Sequence, residues 1–116
     1  MTFEVEGPLH PPDACHCREC RKQSGHYFAS GNVSREKLTV HGEDAVRWFR
    51  SSARVRRGFC GTCGSALFWD PIGRDQIAIA MGAFDTPTQT HLEMHIFVAE
   101  KGDYYEIADG LPQHER

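Results

Sequence analysis

Short apolar stretches, alternating with polar residues or rich in β-branched and aromatic side chains, recur along the whole chain. Residues 3–6 alternate apolar and polar side chains and stop at a Gly-Pro pair, which predicts a strand followed by a turn. Seven further stretches have the length and composition of strands: 26–33, 38–41, 46–50, 54–59, 66–69, 76–81 and 93–99. Since no stretch has a long helical period, the pattern predicts a mainly β fold of short antiparallel sheets.

Helix is predicted at two places only, and for a single turn each. Ser34 precedes residues 35–37 as a helix-opening residue would. Thr86-Pro87 resembles a cap followed by proline at the first helical position. The cysteine-rich segment that follows Gly7-Pro8 is predicted to be a loop.

Aromatic residues are concentrated between positions 48 and 69. We expect them to form core rather than a platform for a substrate, because small β domains bury such side chains. They are Trp48, Phe49, Phe59, Phe68 and Trp69.

The bulk composition is that of one ordinary globular domain. The chain has 116 residues, of which 40% are hydrophobic and 25% charged, without a shift in composition that would mark a second unit. The longest aliphatic run, residues 77–81, is too short to cross a bilayer. A net charge of −3 argues against a nucleic-acid partner. We therefore expect a single domain over residues 1–116, without membrane or nucleic-acid partners, and homo-oligomerisation stays open.

The number and spacing of the cysteines suggest metal or thiol chemistry. The acidic N-terminus lacks the pattern of a secretory leader, which favours a cytoplasmic location where thiols stay reduced. Five cysteines also cannot all pair in disulfides within one chain. In such a setting, closely spaced cysteines more often bind metal or react than form disulfides.

The first cysteine cluster consists of Cys15, Cys17 and Cys20, three thiols within six residues. Such spacing lets all three sulfurs reach one zinc ion, and three thiolates leave one tetrahedral position open, as in catalytic zinc sites. An incoming thiol could fill that position, and the metal would lower its pKa. The alternative is a closed structural site, completed by His16 or by a cysteine elsewhere.

A second cluster is the pair Cys60 and Cys63, with glycines that let the turn between them close. This Cys-x-x-Cys spacing is typical of half a zinc site, and a closed site needs two more ligands. A redox dithiol is the alternative, but the βαβ pattern that usually accompanies one is missing.

Basic residues accompany both clusters. Their charge would favour thiolate over thiol and could hold a carboxylate-bearing ligand, while the simpler interpretation of each is a solvated surface residue. Arg18, Arg21 and Lys22 flank the first cluster, and Arg54, Arg56 and Arg57 precede the second.

Several segments together resemble one known family. Segments 15–25 and 57–64 resemble the two central motifs of the glutathione-dependent formaldehyde-activating enzyme family, which includes centromere-protein-V-like proteins. Segments 81–85, 95–98 and 107–112 are similar to the family's later segments, in the same order. The resemblance covers nearly the whole chain, and several motifs in register are far more specific than one Cys-x-x-Cys pair.

The resemblance implies a β-tent fold of short sheets stapled by zinc–thiolate sites. It also implies a carbon–sulfur lyase that joins formaldehyde to glutathione, giving S-hydroxymethylglutathione, so the expected partners are a glutathione-like thiol and a small aldehyde. By position, the first cluster corresponds to the family's catalytic zinc ligands, and Cys60 and Cys63 to half of its structural site. The cations near the first cluster, Arg18, Arg21 and Lys22, would hold the carboxylates of the tripeptide.

One departure from the family pattern concerns the structural zinc. Family members typically carry a Cys-x-Cys-Gly strand start before the segment that residues 3–7 resemble, and this sequence does not contain it. Two complete sites would need seven thiolates, and five are present. The arithmetic predicts one tightly bound zinc per chain and weak activity. A closed site that joins Cys60 and Cys63 to two thiols of the first cluster would hold this zinc and would leave the reactive centre inactive.

Two other classes of protein compete with the lyase. A non-catalytic zinc module that binds a protein partner would use the same cysteines only for stability. A methionine sulfoxide reductase has a similar fold and zinc-binding cysteines, but it needs a reactive cysteine late in the chain. No cysteine follows Cys63, so this class ranks last.

Overall fold

The computed structural model describes all 116 residues, and it consists of nine short strands, one α-helix and four single turns of 3-10 helix. The strands are β1 (Thr2–Val5), β2 (Asp13–Cys15), β3 (Phe28–Ser34), β4 (Leu38–His41), β5 (Val46–Arg50), β6 (Val55–Cys60), β7 (Ala66–Pro71), β8 (Gln76–Ala80) and β9 (Met94–Ile96). Helix α1 spans Arg18–Ser24, and the 3-10 turns are Arg35–Lys37, Glu43–Ala45, Met81–Ala83 and Val98–Glu100. The predicted mainly β fold is confirmed. None of the helices combines the length and the apolar character that crossing a membrane would require.

The strands form two sheets. Seven of them follow the order β5-β6-β7-β8-β3-β2-β9, and β1 pairs with β4 in a separate two-stranded sheet. All pairs are antiparallel, as predicted, except the parallel pair of β2 and β9. Most of the chain separates these two strands, so no hairpin fixes their relative direction.

The main core lies on one face of the seven-stranded sheet. Six buried residues form it: Val33, Val46, Leu67, Phe68, Ile77 and Ile79. Apolar side chains of β1 and β4 pack against this cluster, among them Phe3, whose ring meets Phe68 edge-on. Burial of each large apolar side chain stabilises the fold by about 1.5–3 kcal/mol. The small sheet is therefore the cover of the core, and the opposite face of the large sheet is free to build the cysteine site.

A buried ion-pair cluster borders the core. Asp70 on β7 is 2% exposed and accepts hydrogen bonds from Arg35 and from Arg56, whose Nε lies 2.7 Å from Asp70 Oδ2. The guanidinium of Arg56 also lies over the Trp48 ring, 3.8 Å from its centroid. Burial alone would raise the pKa of Asp70, but the hydrogen bonds from Arg35 and Arg56 outweigh it and lower that pKa.

The prediction that the aromatic residues between positions 48 and 69 form core is partly wrong. Phe68 is in the core as expected, but Trp48 and Phe49 are 38% and 52% exposed because β5 is the edge strand of the sheet. Trp48 packs over Gly58, where an added Cβ would come within 2.9 Å of the indole. Trp69 lines a cavity on the face opposite the core.

Of four local predictions, two are wrong, one is confirmed and one is partly right. The cysteine-rich segment is not a loop, because β2 ends on Cys15 and α1 begins directly after Cys17. No helix begins at Thr86-Pro87, and residues 87–93 have no regular structure. The turn after Ser34 does form, as the 3-10 turn Arg35–Lys37. The predicted strand 93–99 shrinks to Met94–Ile96 because the 3-10 turn Val98–Glu100 follows at once.

Candidate metal centre and substrate cavity

The end of β2 and the start of α1 bring the three cysteines of the first cluster together. Cys15 is the last residue of β2 and pairs with Phe28 of β3 on one side and Ile96 of β9 on the other. Cys17 precedes α1 as its N-cap, and Cys20 lies in the first turn of the helix. All three sulfurs lie within 4.8 Å of one another. The structure thus makes one thiol cluster of these residues, as the spacing predicts.

The geometry at the start of α1 explains why the sulfurs of Cys17 and Cys20 lie close together. Cys17 has an extended backbone, and its Sγ accepts a hydrogen bond of 3.4 Å from the backbone N–H of Cys20. A side-chain acceptor at this position satisfies one of the free N–H groups of the first turn. The helix ends after two turns at Gly25, whose φ of 87° is favourable for glycine. A thiol at the cap therefore both starts the helix and points toward its first-turn neighbour.

A buried arginine supplies the positive charge at the cluster. Arg57 on β6 is 4% exposed, and its Nη1 donates to Cys20 Sγ at 3.4 Å and to Gln23 Oε1 at 3.2 Å. The pKa of Cys20 is lowered to about 6, first by a hydrogen bond from Cys15 and then by Arg57. That same hydrogen bond, together with burial, raises the pKa of Cys15. Both effects favour the thiolate form at Cys20 over the thiolate form at Cys15.

The donor set fits a zinc ion. Sulfurs bound to tetrahedral zinc at about 2.3 Å are roughly 3.8 Å apart, so sulfurs within 4.8 Å need only a small contraction. Three thiolates would leave the fourth position to another ligand. His16 does not supply it, because its Nε2 lies 2.9 Å from His95 Nδ1 and its Nδ1 lies 2.8 Å from the Tyr105 hydroxyl. The closed site completed by His16, an alternative that the sequence left open, is wrong.

The three cysteines line a cavity of about 410 Å³. Its walls include apolar side chains from five strands or the segments beside them: Phe28, Val55, Trp69, Ala78, Ile96 and Phe97. Asp13, Glu19 and Arg57 are the charged residues that line it. Burial, and secondarily the charge of Glu93, raises the pKa of Asp13. A reactive thiol cluster on the wall of a cavity of this size is typical of a small-molecule site.

The cations predicted to hold substrate do not line this cavity. Arg18 contacts Glu100 through its backbone N–H, which donates to Oε1 at 3.1 Å. Arg21 carries a buried Nε without a hydrogen-bond partner. Burial raises the pKa of Tyr105, and the positive charge of Arg21 acts in the opposite direction. Neither these two arginines nor Lys22 belongs to the cavity lining. Arg57, which the sequence associated with the second cluster, instead contacts the first one.

The second cysteine pair is at a different place. Cys60 ends β6 and packs against the main core, while Cys63 is exposed in the following turn with its Sγ 3.0 Å from Ser65 Oγ. Hydrogen bonding by the backbone of Cys63 and Thr62 lowers the pKa of Cys60 to about 7. The pair lines a separate cavity of about 360 Å³ beside Phe3. The closed site shared between the two clusters is therefore wrong, because only Cys15, Cys17 and Cys20 form a group of three metal-ligand residues.

A buried hydrogen-bonded chain behind the thiol cluster was missed at the sequence level. Asp109 Oδ2 lies 2.7 Å from His95 Nε2, His95 bonds to His16, and His16 bonds to the Tyr105 hydroxyl. His16 and His95 are 0% and 2% exposed. Burial, and then the charge of His95, lowers the pKa of His16 to about 4, so this residue is neutral at physiological pH. The only local indication of this chain is that His16 lies between two cysteines, because its partners His95 and Tyr105 lie about eighty to ninety residues away in the sequence.

Fold and site together define a small, mainly β, thiol-rich protein with a candidate metal centre on the wall of a cavity. Residues 1–100 match the family model described as glutathione-dependent formaldehyde-activating enzyme, and the chain belongs to this family. The activity associated with the family is glutathione-dependent activation of formaldehyde, which is generally a carbon–sulfur lyase activity.

The solved structures include a similar fold. A crystal structure of a Rhodobacter sphaeroides protein aligns with a TM-score of 0.58 at 18% identity, over 78% of this chain and 89% of that chain. At this identity the likeness supports the fold and nothing finer. No protein with a curated description matches the chain significantly.

Proposed function

We propose that the chain is a zinc-dependent carbon–sulfur lyase of the S-(hydroxymethyl)glutathione synthase type, which adds a thiol to a small aldehyde. The observation that supports it best is the position of the first cluster, where three sulfurs within 4.8 Å of one another line a cavity. Family membership supports the same chemistry at a coarser level.

Cys15, Cys17 and Cys20 would hold the metal. When bound, zinc would supply the positive charge that lowers the pKa of a substrate thiol and keeps its sulfur in place. Arg57 prepares the ligands, because its hydrogen bond to Cys20 favours the thiolate form that metal binding requires.

The cavity walls would shield and orient the reactants. Trp69, Phe28 and Ile96 give the cavity an apolar surface that limits competing water around the aldehyde. Positioning the sulfur beside the carbonyl carbon in such a cavity converts an encounter of two molecules into a reaction within one complex.

The reaction balances without an oxidant or a reductant. The thiolate sulfur forms a bond to the aldehyde carbon, the π electrons of the C=O bond move to the oxygen, and that oxygen takes up the proton that the thiol lost. The product is a hemithioacetal, which for glutathione and formaldehyde is S-hydroxymethylglutathione, the adduct expected of this family's activity.

The test is NMR exchange spectroscopy of glutathione and formaldehyde with the zinc-loaded protein, which measures how fast the adduct forms and breaks down. We expect faster exchange than in buffer, and its loss in Cys17→Ser. The matched control is Cys63→Ser, which also removes one thiol but lies outside the cavity. Exchange at the buffer rate with zinc bound would refute the lyase and favour a non-catalytic zinc module.

A further inference from the structure

The charged side chains that line the cysteine cavity are unfavourable for a substrate carboxylate, because two acidic residues face a single arginine. These charged residues are Asp13, Glu19 and Arg57. Arg57 is 4% exposed, its Nη1 donates to Cys20 and Gln23, and its Nε is buried without a hydrogen-bond partner, so its charge is directed at the thiol cluster and not at the open part of the cavity. A carboxylate inside this cavity would meet two acidic side chains and would leave water without compensation. Any carboxylate of the substrate must therefore be bound outside this cavity.

A second cavity adjoins the first. It has a volume of about 560 Å³ and shares Asn32, Val55 and Trp69 with the cysteine cavity. Asn32 and Trp69 both pair with Ala78 across the sheet, so their side chains share one face. The two cavities therefore form one groove along the same face of the large sheet, and we call its second half the arginine pocket.

Two arginines, Arg54 and Arg74, line the arginine pocket, and they lie on two turns that a backbone hydrogen bond joins. The backbone N–H of Ile72 donates to the carbonyl of Arg54 at 2.8 Å, and that of Arg74 donates to Pro71 at 3.0 Å. The first bond ties the turn after β5 to the turn after β7, and the second closes the turn after β7 on itself. Both arginines are exposed, and neither side chain takes part in an ion pair. With Asp75 as the other charged residue of the lining, the arginine pocket has a net positive charge.

The two halves of the groove are close enough for a short peptide to extend from one to the other, because Val55 lines both. Arg57 contacts Cys20, and Val55 lies two residues from Arg57 on β6, about 7 Å along the strand. Arg54 directly precedes Val55. Three extended residues span about 10 Å. A tripeptide whose thiol reaches the cysteines can therefore place a terminal carboxylate near the arginines.

We infer that Arg54 and Arg74 bind the terminal carboxylate of the peptide thiol that the proposed function requires. The inference rests on the proposed function for the position of the sulfur. Two guanidinium groups facing one carboxylate offer several charge-assisted hydrogen bonds. Selectivity for a peptide thiol over a small aminothiol then resides in the arginine pocket, and the cysteine cavity accepts the sulfur of either.

The first test compares two thiols in the zinc-loaded protein. The double variant Arg54→Gln/Arg74→Gln should raise KM for glutathione about tenfold, the equivalent of about 1.4 kcal/mol, with kcat unchanged. KM for cysteamine, which has no carboxylate, should stay the same. The control is Arg50→Gln, since Arg50 is an exposed arginine of the same hairpin that lines neither half of the groove.

The second test measures binding without turnover. S-Methylglutathione keeps both carboxylates but has no free thiol, and we expect the zinc-loaded wild type to bind it about tenfold more tightly than the double variant by ligand-observed NMR. Circular dichroism of the variants checks that they are folded.

The results separate this inference from the proposed function. If neither thiol is turned over, the lyase proposal fails, and S-methylglutathione binding still decides whether the arginines bind a carboxylate. Equal effects of the double variant on glutathione and cysteamine, or unchanged S-methylglutathione binding, would overturn the arginine pocket alone. A KM increase in Arg18→Gln or Lys22→Gln instead would place the carboxylate at the first cluster and would also overturn it.

Discussion

Replacing Asp70 with Asn tests whether the buried ion-pair cluster stabilises the fold. The side chain of Asp70 is 3% exposed and faces two guanidinium groups that are 37% and 41% exposed. Removing one partner of a fully buried pair costs about 3–5 kcal/mol. Since both arginines can be rehydrated, we expect about half of this, roughly 2 kcal/mol. For a domain of this size, that loss lowers Tm by about 8 °C.

The loss of stability in Asp70→Asn should depend on pH, and it should become smaller in acid. The pKa of Asp70 is lower in the folded chain than its ordinary value of 3.8, so its contribution is complete above that value and is lost as the pH falls through the folded pKa. The difference between wild type and Asp70→Asn should therefore be constant near neutral pH and shrink in acid.

Urea unfolding followed by circular dichroism measures both effects. Asp75→Asn is the matched control, because Asp75 is exposed and forms no ion pair, and it should change the free energy of unfolding by less than about 0.5 kcal/mol. An Asp70→Asn protein as stable as the control, or a difference that persists undiminished below the ordinary pKa, would refute the reasoning.

Three further substitutions address the two cysteine clusters and the buried hydrogen-bonded chain. Arg57→Met should raise the pKa of Cys20 in the metal-free protein from about 6 toward the ordinary thiol value, as read from thiolate absorbance against pH; an unchanged titration would contradict the role of the guanidinium. Tyr105→Phe leaves His16 Nδ1 without its partner and should destabilise the chain by about 1 kcal/mol in thermal unfolding, whereas an unchanged Tm would show that water replaces the hydroxyl. Cys60→Ser removes a thiol outside the first cluster, so metal analysis should still find one tightly bound zinc per chain, and loss of that zinc would show that Cys60 is a ligand.

The strands were largely predictable because β-branched and aromatic stretches bounded by glycine and proline are local signals. The thiol cluster was predictable for the same reason, since Cys15, Cys17 and Cys20 lie within six residues. The two-turn helix α1 was missed because its start depends on a cysteine acting as a cap, where Ser, Thr, Asp or Asn is usual.

The parts of the site that the sequence did not predict depend on long-range contacts. Arg57 reaches the first cluster because β6 belongs to the same seven-stranded sheet as β2 and β3, the strands that flank α1. No residue near Arg57 in the sequence indicates this contact. His16 and Asp109 are joined through His95 only because β9 pairs in parallel with β2. The cytoplasmic location and the single domain over residues 1–116 stay predictions.

The central claim is that the first cluster holds a metal whose open position accepts the sulfur of glutathione. Titrating glutathione into cobalt-substituted protein tests it most directly, because sulfur bound to cobalt gives a charge-transfer band. We predict one tightly bound cobalt per chain, a band that grows until one glutathione is bound, loss of that response in Cys17→Ser and its retention in Cys63→Ser. A charge-transfer band that does not change on addition of glutathione, or a Cys17→Ser protein whose band responds like that of wild type, would contradict the claim.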